Sequence, residues 1–150
     1  MGEIFTYRNR VRYYETDQQG VVFNMWYMGY LDEAMNAFLD ARGPGYGGML
    51  ALGCDVQLVH SELDWRSALR WREEADIDVR PSQVGTTSFT LDYTVRRAAT
   101  VTEDGSVVEA DGAVLATGRT VYVTVATDGG GKIPVPPELR AALEPLEPLV

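Results

Sequence analysis

Thiol and imidazole chemistry are nearly absent from this chain. Cys54 is its one cysteine and His60 its one histidine among 150 residues. One cysteine excludes an intramolecular disulfide and makes the cytoplasm the expected address. It has no basic neighbour in sequence and reads as a small buried residue. One histidine means that a Ser-His-Asp triad or a histidine-based dehydratase would have to use His60. That residue lies in a strand-like stretch, Val56 to Leu63, with no nucleophile signature beside it, so an ordinary hydrogen-bonding role is expected. No His/Cys/Asp cluster has metal-ligand spacing, so no metal site is expected. No stretch approaches the roughly 18 consecutive apolar residues of a membrane span. The segment Met1 to Arg12 carries Glu3, Arg8, Arg10 and Arg12 and no apolar centre, so no signal peptide is read there. Positive charge is also scarce. Lys+Arg number 13 against 22 Asp+Glu, a net charge of -9. That balance argues against nucleic acid and membranes as partners. There is no internal repeat of roughly 20 to 50 residues and no low-complexity block.

What is present is an ordinary globular balance, 45% hydrophobic and 23% charged. The length fits a single domain over 1–150 with a real core, ending in a short proline-rich tail from about 134. Phe5, Tyr7, Val11 and Tyr13 alternate, so residues 4–14 read as a strand. The polar segment Glu15 to Gly20 reads as a loop. Residues 24–42 read as a helix, with Tyr27, Leu31, Ala34, Met35, Phe38 and Leu39 on one face and Asn24 as N-cap. Asp32, Glu33, Asn36 and Asp40 fall mostly to the other side. Gly43 to Gly48 formally matches G-x-G-x-x-G. It follows a helix instead of opening one, so it reads as a flexible loop and not as a dinucleotide site. No cofactor is expected.

From residue 54 the pattern turns strand-like. Ala75, Ile77 and Val79 alternate with polar residues, as do Phe89, Leu91, Tyr93 and Val95, and Val121, Val123 and Val125. Asp104-Gly105 and Asp111-Gly112 mark turns. A short helix can start at Pro137 and stop before Pro145, with a frayed tail beyond. One long helix and about five antiparallel strands make an α+β domain, in which the sheet wraps the apolar face of the helix.

The segment Leu63 to Arg72 mixes tryptophan with arginine. Such a mixture can stack on and neutralise a nucleotide, but strand packing with snorkelling cations is the commoner use. Arg66 and Arg70 are therefore weak ligand candidates. Arg72, Arg80, Arg96 and Arg97 are further members of any basic patch that an anionic substrate would need.

The informative segment is Tyr13 to Tyr27. Here an acidic loop ends where the long helix begins. A carboxylate beside the unpaired N–H groups of a helix N-terminus can act as nucleophile or base, while those donors receive an oxyanion. On spacing alone, an aspartate such as Asp17 is more often a turn residue that closes an Asx-turn.

This segment resembles the hotdog acyl-CoA thioesterases of the 4-hydroxybenzoyl-CoA thioesterase family, in its Asp-loop branch. Tyr13, Glu15, Asp17, Gly20, Val21, Val22 and Phe23 match that branch's pattern in order, and Tyr27 matches a tyrosine on the helix. Asp32 falls where related thioesterases often carry glutamate. Leu63-Asp64-Trp65, Gly85 to Phe89 and Gly118 to Val125 extend the likeness weakly. The resemblance implies a hotdog fold and hydrolysis of an aliphatic or aromatic acyl-CoA, with Asp17 as nucleophile or general base. It implies the Asn24 backbone amide as oxyanion donor and Gly20, Val22, Phe23, Trp26 and Tyr27 around the substrate. Glu15 and Asp32 are weaker candidates for orienting groups. It also implies a homodimer or a homotetramer built from dimers, with the pocket at the interface. Trp26 and Ala68 depart from the pattern. Thr86 and Thr87 stand where some relatives place basic residues for coenzyme A phosphates. An acyl-carrier-protein thioesterase of a polyketide or fatty-acid pathway and a non-catalytic acyl-binding protein are the alternatives.

Overall fold

The computed structural model describes residues 4–144. The chain runs β1 (Phe5–Arg10), α1 (Trp26–Arg42), α2 (Gly45–Ala51), β2 (Cys54–Trp65), β3 (Glu73–Val84), β4 (Ser88–Val101), β5 (Val107–Glu109), β6 (Val114–Ala126) and α3 (Pro137–Leu143), with a 3-10 turn at Tyr13–Glu15. One antiparallel sheet has the order β1-β3-β4-β6-β2, with β5 paired to β4. The sheet and its long helix make the α+β hotdog arrangement.

Helix α1 forms because its apolar residues recur at three- and four-residue steps. Tyr27, Tyr30, Leu31, Ala34, Met35, Phe38 and Leu39 are all buried, while Asp32, Glu33, Asn36 and Asp40 are exposed. The inner face of the sheet supplies the complementary surface. Phe89, Leu91, Tyr93 and Val95 on β4 lie opposite Tyr122, Thr120, Gly118 and Ala116 on β6. Burying each large side chain contributes about 1.5–3 kcal/mol. Gly118 leaves room for Leu31 of the helix to pack tightly on the sheet. A Cβ there would stand 2.9 Å from Leu31 Cδ1 and 3.3 Å from the Glu62 carbonyl oxygen.

The outer face carries charge in cross-strand pairs. Arg8 meets Asp76 at 2.9 Å, Arg96 grips Asp78 at 2.8 and 2.9 Å, and Arg119 grips Asp92 at 2.7 Å. Asp78 and Asp92 are buried beneath these arginines. Arg80 completes the ladder 4.0 Å from Asp78. Arg80 and Arg96 are therefore committed to the sheet instead of forming a patch for an anion.

Several sequence expectations are corrected. The first strand ends at Arg10, and the chain then turns through Tyr13–Glu15, because the buried Glu15 carboxylate draws the Arg12 N–H to 2.8 Å and folds the backbone there. Helix α1 starts at Trp26, and Asn24 does not cap it; Met25 holds the cap position with no side-chain bond. The glycine-rich stretch after it is helical, as α2, because Met49 is drawn into the core and Pro44 sits before the first turn. Tertiary burial here outweighs the poor helix propensity of glycine. The expected sheet of about five antiparallel strands is present, with the short β5 that follows the Asp104-Gly105 turn as a sixth. On β6 the inward residues are Thr120, Tyr122 and Thr124, and the valines between them are half-buried on the other side. Helix α3 occupies Pro137–Leu143 as expected, while Pro145 and Pro148 lie outside the described residues.

Candidate active site

The loop between β1 and α1 is built from short backbone bonds. Asp17 N–H donates to the Val21 carbonyl at 2.9 Å, and Gly20 N–H donates to the Asp17 carbonyl at 3.0 Å. Gly20 takes φ +75° at the corner, a conformation that costs glycine little. The exposed Asp17 carboxylate accepts the Gln19 N–H at 2.8 Å through Oδ1. Its other oxygen has no partner among the described residues. The Asx-turn and the candidate nucleophile thus coexist in one exposed side chain: one oxygen fixes the geometry and the other is left without a partner.

Two buried glutamates fasten this loop. Glu15, 3% exposed, accepts the Tyr30 hydroxyl at 2.7 Å and the Arg12 N–H at 2.8 Å, with the Arg12 guanidinium at 3.2 Å. Its carbonyl oxygen also accepts the Phe23 N–H at 2.9 Å. Burial first, and then the Glu15 carboxylate, hold the Tyr30 phenol well above its ordinary value, so it remains a donor. On the other side, Glu73 pairs with Arg97 at 2.8 Å and accepts the Arg70 N–H at 2.7 Å. Arg97 also reaches the Ala68 carbonyl at 2.6 Å. These bonds hold the strap of residues 66–72. The strap in turn pairs with the loop through the Val21–Arg70 bridge and a 2.7 Å bond from Val22 N–H to Leu69 oxygen.

The loop delivers the chain to the N-terminus of α1. Trp26 N–H donates to Phe23 oxygen and Tyr27 N–H to Asn24 oxygen. The Asn24 and Met25 N–H groups have no partner among the described residues. They point the positive end of the helix dipole toward any anion formed nearby. A cavity of about 320 Å³ opens beside them, lined by Val22, Asn24, Tyr27, Trp65, Arg66, Ser67 and Ala68. Tyr27 is 2% exposed, and its ring meets Trp65 edge-on at 5.9 Å. Burial raises the Tyr27 phenol, so its hydroxyl stays neutral while bonded to the Leu69 backbone.

The structure thus brings Asp17, Gly20, Val22, Asn24, Tyr27, Arg66 and Arg70 into one loop, helix end and strap. Phe23 is 44% exposed on the loop, and Trp26 stacks edge-on against Tyr14 at 5.4 Å on the rim. Asp32 is set apart: it lines a different cavity with Glu33, Asn36, Tyr46, Asp55 and Tyr122. His60 is exposed on β2 and lies 3.5 Å from Glu62. Cys54 is buried. Glu73 and Ser67 were missing from the sequence reading of the site, Arg97 was read there only as a member of a basic patch for an anionic substrate, and Ala68 only as a departure from the family pattern. Only the clustering of charge around residues 66–73 hinted at them. Among the described residues there is no group of three or more His, Cys, Asp or Glu that could hold a metal ion, and no helix is long and apolar enough to cross a membrane.

Comparison with known proteins places this arrangement. A protein of Aquifex aeolicus (strain VF5) that carries an esterase name is 32% identical over 91 residues, covering 61% of this chain and 71% of the relative. The 1,4-dihydroxy-2-naphthoyl-CoA hydrolase of Picosynechococcus sp. (strain ATCC 27264 / PCC 7002 / PR-6) is 26% identical over 92 residues, 61% of this chain and 63% of the relative. A hypothetical protein from Thermus thermophilus superposes with a TM-score of 0.79 at 28% identity, over 95% of this chain and 98% of the other. The family model described as the thioesterase-like superfamily matches residues 11–143, which include the Asp17 loop, all of α1 and every strand after β1. This chain, a helix wrapped by its sheet with a carboxylate loop at the helix end, belongs to the thioesterase-like superfamily.

Proposed function

We propose that this protein hydrolyses an acyl-CoA, aliphatic or aromatic, to the free acid and coenzyme A, as an Asp-loop member of the 4-hydroxybenzoyl-CoA thioesterase family. One observation carries the reading. The unpartnered oxygen of Asp17 and the unpaired N–H groups of Asn24 and Met25 belong to one rigidly tied loop and helix end, and Asn24 lines a cavity walled by Val22, Tyr27, Trp65 and Ala68 together with Arg66 and Ser67. The thioester carbonyl would lie with its oxygen toward those N–H groups. Asp17 then acts by one of two routes. Its oxygen attacks the carbonyl carbon and the C–S bond breaks, leaving a mixed anhydride that water hydrolyses. Alternatively, it takes a proton from the water that attacks. In both routes the oxyanion is met by fixed donors, the dominant electrostatic contribution in acyl transfer.

The same reading treats 1–150 as one domain acting as a homodimer or a homotetramer of dimers, with the cavity completed at the interface by the partner. The single buried cysteine suits a cytoplasmic protein. The test is free-thiol release from a panel of aliphatic and aromatic acyl-CoA esters, run beside Asp17→Asn. Turnover that falls at least ~100-fold in the folded variant is expected. Turnover unaffected by Asp17→Asn would reject that residue. Absence of turnover on every ester, with activity on acyl-carrier-protein thioesters, would reject coenzyme A as the carrier.

A further inference from the structure

The chain has a net charge of -9, yet three arginines and no carboxylate lie between Trp65 and Arg72. Most of the other arginines are occupied, although Arg10 at the end of β1 is exposed and meets no carboxylate among the described residues either. Arg8, Arg12, Arg96, Arg97 and Arg119 each contact a carboxylate at 3.2 Å or less. Arg66 and Arg70 differ. Both side chains are exposed, and neither meets a carboxylate among the described residues. Their backbones, by contrast, are fixed. Arg66 N–H donates to Leu115 oxygen at 2.8 Å, and Arg70 N–H donates to Glu73 at 2.7 Å. Arg66 also lines the mouth of the cavity beside Asn24. Next along the strap, Trp71 is 43% exposed, with Tyr13 edge-on at 5.1 Å and the Arg72 guanidinium 4.3 Å from its ring centroid. Arg72 holds a positive φ of 71° in doing so, and its carbonyl oxygen is fixed by the Val101 N–H. Rigid backbone, unpaired guanidinium groups and a half-exposed indole already backed by a guanidinium together are the means of binding a phosphorylated purine.

We propose that the strap binds the nucleotide part of coenzyme A, with Arg66 and Arg70 on its phosphates and Trp71 beneath its adenine. This rests on the acyl-CoA reading above and adds to it how an acidic protein admits a polyanionic substrate: a local positive patch at the cavity mouth offsets the field of the whole chain. It also places the phosphate contacts on the strap, not on the strand start where Thr86 and Thr87 stand.

The test compares native protein with Arg66→Ala/Arg70→Ala on two substrates with the same acyl group, one on coenzyme A and one on N-acetylcysteamine, which has no nucleotide. The ratio of kcat/KM for the coenzyme A ester to that for the short ester should fall about tenfold or more in the variant, the loss expected of charge-assisted contacts. Added salt should lower this ratio in native protein and change it less in the variant. Calorimetric titration of free coenzyme A gives a readout independent of turnover, and its affinity should fall in parallel. A ratio and an affinity that do not change would overturn the assignment, as would a native preference for the short ester. These outcomes are separable from failure of the hydrolase reading, in which neither ester is cleaved while coenzyme A binding still reports on the two arginines.

Discussion

Glu15 shows how one buried side chain can organise a whole loop. Its carboxylate is buried and bonded to Arg12 and to Tyr30, and its carbonyl oxygen fixes Phe23 just before the helix. Tyr30→Phe keeps the aromatic packing and deletes one bond to the charged carboxylate. The cost should be about 1–3 kcal/mol, measured by denaturant unfolding. Because Asp17 sits two residues beyond Glu15, kcat should fall more than KM rises. Native stability and native turnover in this variant would show that Arg12 alone holds the carboxylate. Glu15 was legible in the sequence as an acid in a loop, because the motif displays it. Tyr30 as its partner was not, since a hydrogen bond between a loop and a helix fifteen residues on follows no sequence period. The same holds for Arg97 and Glu73, which approach only when β3 and β4 pair.

At the scale of elements, the outer face of the sheet is held by alternating charges. Asp78 accepts Thr6 from β1 and Arg96 from β4, so it joins three strands. Burial disfavours its ionised form, but the bonds from Arg96 and Thr6 outweigh this and hold its carboxyl below the ordinary 3.8. A carboxyl whose folded pKa is depressed stabilises the fold above its unfolded pKa and loses that contribution as pH falls through the folded value. Asp78→Asn should therefore cost about 2–3 kcal/mol near neutral pH. The difference in Tm from native protein should shrink below pH 3.8. A gap that stays constant down to acid pH would mean that Asp78 acts through packing alone. Such partnerships were outside the reach of sequence patterning, which assigned the strands from their apolar positions. Ala75, Ile77 and Val79 were read correctly because their polar neighbours kept the period of two. Thr120, Tyr122 and Thr124 were concealed by the valines between them, since β-branched residues suit both faces of a strand. Helix α2 was concealed by its glycines, which forecast a loop until Met49 found the core.

At the scale of the molecule, β2 is the unresolved tension of the single chain. It is twelve residues long, lies at one end of the sheet, and pairs with β6 on one side only among the described residues. Leu58, Val59 and Trp65 on it are 48, 57 and 47% exposed, and Leu50 and Leu52 stand exposed just before it. A long, apolar, open edge invites another strand, and natural sheets protect such edges with lysine, proline or bulges. Here there is one register shift, between Leu58 and His60, and no lysine or proline on the strand. A second copy of the chain meeting this edge would pair the free backbone groups and cover the apolar side chains, with Trp65 joining the interface to the cavity. Val59→Lys tests this by placing a charge at the centre of the edge without touching Asp17 or the strap. Native protein should sediment as a dimer or tetramer, and the variant should shift toward monomer with a dissociation constant about 100-fold higher, as roughly 2–3 kcal/mol of unpaired charge burial requires. Turnover should fall with the dimer and recover at high protein concentration, because a cavity walled partly by the partner is complete only in the assembly. A native monomer with full activity would instead mean that the edge is left open and that one chain holds the whole site.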